Sequence, residues 1–169
     1  MRITTRIAVA VAVAATLATL APSTASAHDD ATAKTETEAT ATLRSTPPAD
    51  KLYGPGVVSG MAELEEEDGR LKIEAEVRGL KPGTAHIGHI HLGDCTSLSP
   101  GLIIYDLTPV KIGKDGEGRS VTVINDTAKA SLAMVKDCQW WVAFHEGPAN
   151  TSPTQTPAVA IGPVLLDKD

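Results

Sequence analysis

Aromatic residues are scarce in this chain of 169 residues, which has two Trp, two Tyr and one Phe, 3% in all. A core must therefore be filled by Ala, Val, Leu and Ile. Positive charge is short as well, with 15 Lys and Arg against 21 Asp and Glu and a formal net charge of −6. Such a surface is poorly suited to phosphate, which argues against nucleic acid and anionic membranes as partners. No apolar run is long enough to span a bilayer, since the stretch from Ile7 to Leu20 holds about 14 residues where roughly 20 are needed. The length leaves room for one core, so a large multidomain enzyme is excluded too.

That N-terminal run instead has the form of a signal peptide over residues 1–27. Arg2 and Arg6 stand at its start, and Ala25-Ser26-Ala27 supplies small residues at −3 and −1 for a signal peptidase. The expected cut lies between Ala27 and His28. Loss of the two arginines changes the balance from 15 − 21 to 13 − 21, about −8. No cysteine follows the cut to carry a lipid, so the product is expected to be secreted or otherwise extracytoplasmic. Residues 28–50 are rich in Thr, Ala and Glu with Leu43 as their one large aliphatic, and are expected to form a disordered linker. Pro47-Pro48 is expected to close that linker and to exclude helix there. The folded domain is then expected over residues 51–169.

Within the domain, short β-rich runs are separated by Gly, Pro, Asp and Asn. Arg70 to Arg78 alternates strictly between polar and apolar, and the preceding Glu66-Glu67-Asp68-Gly69 reads as a hairpin turn from a strand over Val57 to Leu64. Further strands are expected at Thr84 to Leu92, Leu102 to Leu107, Arg119 to Ile124, Trp140 to Phe144 and Ala158 to Leu165. Between them, Ala128, Leu132 and Val135 fall at helical spacing behind an Asp126 cap, which predicts one short helix near 126–136. The fold class expected is all-β: a single antiparallel, Greek-key-like sandwich or flattened barrel of about seven to eight strands.

The only two cysteines, Cys95 and Cys138, suit a disulfide in an oxidising compartment. With 42 residues between them, the bridge would contribute roughly 3–4 kcal/mol on the loop-entropy model. It would also join the ends of two histidine-bearing strands.

Those histidines carry the chemistry. His89 and His91 form a His-x-His pair on one strand, which points both imidazoles to one face about 6–7 Å apart and sends Ile90 and Leu92 to the core. On the second strand Trp140, Val142 and Phe144 should face inward, leaving Ala143 and His145 outward. Trp140 and Trp141 read as core and partly exposed cover. If the two strands are neighbours, His89, His91 and His145 converge as a metal site. Three neutral imidazoles suit Cu(II), Zn or Ni, and the affinity order favours copper. The competing reading is histidines that only hydrogen-bond and hold loops. His86 has the opposite parity and would join only through a bulge. His28, followed by Asp29 and Asp30, would bind copper only adventitiously.

The run Gly83-Thr84-Ala85-His86-Ile87-Gly88-His89-Ile90-His91-Leu92-Gly93-Asp94-Cys95 resembles the His-x-His strand of copper/zinc superoxide dismutases. Trp141-Val142-Ala143-Phe144-His145-Glu146 resembles their later copper-ligand strand, and Ala158-Val159-Ala160-Ile161-Gly162 their final strand. The same segments, with Gly101-Leu102-Ile103-Ile104-Tyr105-Asp106-Leu107, are similar to chordin-type (CHRD) domains. The resemblance covers about Val57 to Val164 and implies copper held by His89, His91 and His145.

The chain departs from the dismutase pattern in three ways. No histidine lies between His91 and His145, so the bridging ligand and the zinc set have no counterparts, and a zinc site of the dismutase type is not expected. Asp106 or Asp115 cannot replace that set. No basic residue lies between Lys136 and Lys168, so the arginine that would guide superoxide is missing.

Three functions follow as expectations: a secreted β-sandwich binding module holding one copper ion with little or no turnover, a degenerate copper-dependent dismutase-like oxidoreductase, and a structural envelope domain without metal. Intact mass of the non-reduced, freshly purified protein should show both thiols oxidised, and two free thiols would refute the bridge.

Overall fold

The computed structural model describes residues 37–95, 101–125, 131–147 and 156–167. The signal-peptide segment and residues 28–36 of the expected linker lie outside them. Among the described residues nine strands form one antiparallel sheet: β1 Thr37–Ser45, β2 Ser59–Glu67, β3 Arg70–Arg78, β4 Ala85–Leu92, β5 Ile103–Ile112, β6 Glu117–Ile124, β7 Trp140–His145, β8 Ala158–Pro163 and β9 Leu165–Leu166. Their order is β2-β3-β6-β5-β4-β7-β8-β1, and β1 pairs again with β2, so eight strands close a barrel and no long edge is left between first and last. The short β9 continues along β1 beyond β8. Because β4 sits beside β5 and β7 rather than β3, the connections cross over the barrel in the expected Greek-key-like manner.

The hairpin β2–β3 forms in the register that its alternation requires, with Leu64 opposite Ile73 and Ala62 opposite Ala75. Its turn is Asp68-Gly69, both at positive φ (52° and 70°), the backbone a two-residue turn needs to match strand twist. On β3, Leu71, Ile73, Ala75 and Val77 are buried while Glu76 and Arg78 are exposed.

The linker expectation fails over residues 37–50. β1 lies between β2 and β8, with Ala39, Ala41 and Leu43 buried and Thr42 and Arg44 outward. Low hydrophobicity suggested disorder, yet an eight-stranded barrel has a narrow interior in which alanines suffice as inward residues. The helix exclusion at Pro47-Pro48 fails as well, since α1 spans Pro47–Tyr53 with Pro at its first positions and the Thr46 hydroxyl capping Ala49 N–H. Proline is tolerated there because a first-turn N–H has no intrahelical partner to lose. Among the described residues the folded unit therefore already includes β1 and α1, and does not begin at Lys51.

In the segment expected to be helical, residues 126–130 lie outside the described residues and the remainder contains a single 3₁₀ turn, Leu132–Met134. Val135 ends it in extended backbone, so the pattern of buried Leu132 and Val135 comes from packing on the barrel rather than from a continuous helix. Leu92, expected in the core, is 38% exposed at the end of β4, where the β4–β5 register has shifted past Ile90.

One apolar cluster fills the barrel, with Phe144, Ile90, Val142, Val110 and Leu43 among its members. Phe144 presses on Gly88, where an added Cβ would stand 2.5 Å from the ring. This close approach sets the spacing of β4 and β7 one residue before His89.

Leu43→Ala is expected to lower stability by about 2–5 kcal/mol, and Gly88→Ala by about 1–3 kcal/mol through overpacking. Urea unfolding measures both. A negligible effect of Leu43→Ala would argue that β1 is a dispensable tether.

Candidate metal centre

Neighbouring strands β4 and β7 carry the three histidines. Their register sets His89 opposite Ala143 and His91 opposite Trp141, so both imidazoles leave the outer face of the barrel while Ile90 and Val142 pair beneath. His145 ends β7 at a register shift against β8, where it pairs with Ala158. All three side chains are buried, at 5–6% exposure. Trp141 is buried too, against Ala143 and Ile161, rather than partly exposed.

The rings stand with centroids 5.1–5.8 Å apart, and one nitrogen from each lies within 4.8 Å of the others. Metal–nitrogen bonds near 2.0 Å place two ligand atoms at most about 4 Å apart, so a shift of under about 1 Å would close this set on an ion.

Hydrogen bonds decide which nitrogens face inward. His91 Nδ1 lies 3.1 Å from the Gly101 carbonyl and His145 Nδ1 2.9 Å from the Thr156 carbonyl. A carbonyl only accepts, so each Nδ1 carries the proton and each Nε2 presents a lone pair. Those two Nε2 atoms are 3.4 Å apart, a repulsive contact between neutral rings that a cation or a proton would relieve. His89 is turned the other way, its Nε2 standing 3.4 Å from Asp106 Oδ1. Its Nδ1 is the one buried side-chain polar atom without a hydrogen-bond partner among the described residues. Three lone pairs therefore converge, each fixed by an oxygen behind its ring, the arrangement by which protein metal sites orient histidine ligands.

Burial pushes the His89 imidazole down to about 4, with nearby His145 adding to the effect and Asp106 opposing it. Burial also lowers His91 and His145, against partial opposition from their carbonyl partners. The rings are thus held neutral and ready to bind.

His86 does not join them. It is fully buried, its Nδ1 lies 3.0 Å from the His145 carbonyl, and its Nε2 lies 2.8 Å from Thr84 Oγ1. The bulge between β4 and β5 lies beside it, yet its ring holds the main chain of a candidate ligand instead of supplying one. Glu146, next in the chain to His145, accepts from the Tyr53 hydroxyl of α1 at 2.7 Å. Burial raises that phenol above its ordinary value, with Glu146 adding to the shift.

Cys95 and Cys138 form the disulfide, with Cα atoms 4.9 Å apart. It extends the β4–β7 ladder beyond the Leu92–Trp140 pair, so the ends of the two histidine strands are covalently tied. The bond points to an oxidising, extracytoplasmic environment. Among the described residues no helix is long and apolar enough to cross a membrane.

Sequence reasoning missed the Gly101 and Thr156 acceptors, because main-chain carbonyls carry no residue signature. It also missed the Tyr53–Glu146 contact, since α1 had been assigned in part to a linker. No protein-family model matches the chain, and no curated protein matches it at a significant level.

The His89 shift carries a pH signature. A histidine held neutral by the fold binds its proton in the unfolded chain first, so stability is present above the ordinary value near 6.5 and is lost as pH falls toward about 4. Urea unfolding of metal-free protein between pH 7 and pH 4 should show that loss, and His89→Ala should flatten it.

Proposed function

We propose that this domain is an exported copper-binding module in which His89, His91 and His145 hold one copper ion, with little or no turnover. The observation that carries the reading is the convergence of three imidazole lone pairs, one of them the buried, unpartnered His89 Nδ1. A histidine set that served only to hold loops would spend both nitrogens of each ring on protein partners, as His86 does. Three neutral nitrogens with no thiolate suit a divalent ion late in the first transition row, and copper leads the affinity order. When bound, copper supplies one-electron redox capacity. The residues of the chain supply binding and orientation: Gly101 and Thr156 carbonyls hold His91 and His145, and Asp106 holds His89. Export by residues 1–27 belongs to the same reading and is supported by the disulfide.

The second reading, a dismutase-like oxidoreductase of the copper/zinc superoxide dismutase or chordin-type superfamily, is supported by the His-x-His and Phe-His segments. Electrostatics favour the first. The side-chain charge beside the trio is the Asp106 carboxylate, with Glu146 behind His145, and neither would draw in an anion. The formal charge of −6 acts in the same direction.

Metal analysis of tag-free protein should find one copper per chain after loading, and His91→Ala should reduce that occupancy severely. Superoxide dismutation should remain far below the diffusion ceiling of about 10⁸–10⁹ M⁻¹s⁻¹. A wild-type rate near that ceiling, abolished in His91→Ala, would establish the oxidoreductase reading instead.

A further inference from the structure

A groove of about 750 Å³ runs along the outer face of the barrel where β1, β7, β8 and β9 meet, under the start of α1. One wall is apolar, built from Trp141, Ile161, Pro163 and Leu165. The other is the outward side of β1, where Thr42 and Arg44 stand two residues apart on the same face.

The polar groups of this groove are unevenly engaged. The Thr46 hydroxyl donates to the Ala158 carbonyl and the Ser45 hydroxyl to Asp50, both at 2.5 Å. Thr42 and Arg44 have no hydrogen-bond or ion-pair partner among the described residues, whereas Arg78 of β3 and Arg119 of β6 are paired with glutamates. No acidic side chain among the described residues lines the groove, in a chain whose acids outnumber its bases by 21 to 15. A guanidinium left without a carboxylate beside an apolar wall is complementary to a molecule bringing both missing features. Its planar fork matches a carboxylate in bidentate fashion, and the volume falls in the range of small-molecule sites.

We infer that the groove binds an amphipathic carboxylate, its anionic head on Arg44 and Thr42 and its hydrocarbon body along Trp141, Ile161 and Leu165. The site is separate from the histidine trio and stands without it. The two adjoin on the outer face, since Trp141 is the cross-strand partner of His91. Occupancy of one therefore bears on the wall of the other.

Isothermal titration of the exported protein, metal-free and with its disulfide intact, tests this with three eight-carbon probes: octanoate, octanol and octylammonium. Octanoate should bind saturably at submillimolar to low-millimolar concentration and shift the Trp141 indole N–H resonance. Octanol should bind more weakly, and octylammonium should not bind. Arg44→Gln, an exposed position, should weaken octanoate by about fivefold to tenfold while leaving the urea midpoint unchanged. Leu165→Glu should weaken it too, and added salt should lower wild-type affinity as the head-group pair is screened. No octanoate binding, equal binding of octylammonium, or a wild-type affinity indifferent to salt would each overturn the assignment. Copper loading plays no part in these readouts, so they separate this site from the metal reading.

Discussion

The pairing of β4 with β7 is the contact on which the rest of this molecule depends. It is antiparallel and in continuous register from Gly88–Phe144 to Leu92–Trp140, so one ladder presents Ile90, Val142 and Phe144 to the core and His89 and His91 to the other side. The only phenylalanine of the chain sits at one end of it, against a glycine that leaves room for its ring. The disulfide closes the other end. A slip of one residue would exchange core and site together, and the packing of Phe144 on Gly88 opposes such a slip.

Burial then gives the histidines their character. Imidazoles taken out of water lose affinity for protons, at His89 even against the opposing Asp106 carboxylate, and hydrogen bonds from Nδ1 to main-chain oxygens choose the tautomer of His91 and His145. Burial makes the rings poor proton acceptors, and the Nδ1 hydrogen bonds of His91 and His145 leave their Nε2 lone pairs available to a metal ion. His86 shows the contrast within one strand: its ring is equally buried, but both nitrogens are engaged, and it serves the backbone of His145.

Closure of the barrel depends on a strand of low hydrophobicity. Ala39, Ala41 and Leu43 offer little apolar area, yet β1 is bonded on both sides, to β2 over eight residue pairs and to β8 and β9 in turn. It also sets one wall of the outer groove, so this strand connects the core with the surface where Arg44 is displayed.

Local patterns in the sequence were sufficient for the strands that alternate or run apolar, for the Asp-Gly turn, for the disulfide pair and for the face shared by His89, His91 and His145. Each depends on residue parity, on turn chemistry or on an even cysteine count, for which a disulfide is the default in an oxidising compartment. β1, α1 and the exposure of Leu92 were decided by the tertiary structure, because small alanines become a core only inside a closed, narrow barrel, and proline is harmless only at a helix start that the neighbouring strand fixes. The convergence of the three nitrogens belongs to the same class. Parity turns the rings outward, but only the β4–β7 register, the shift at His145 and the distant carbonyls of Gly101 and Thr156 aim their lone pairs at one point.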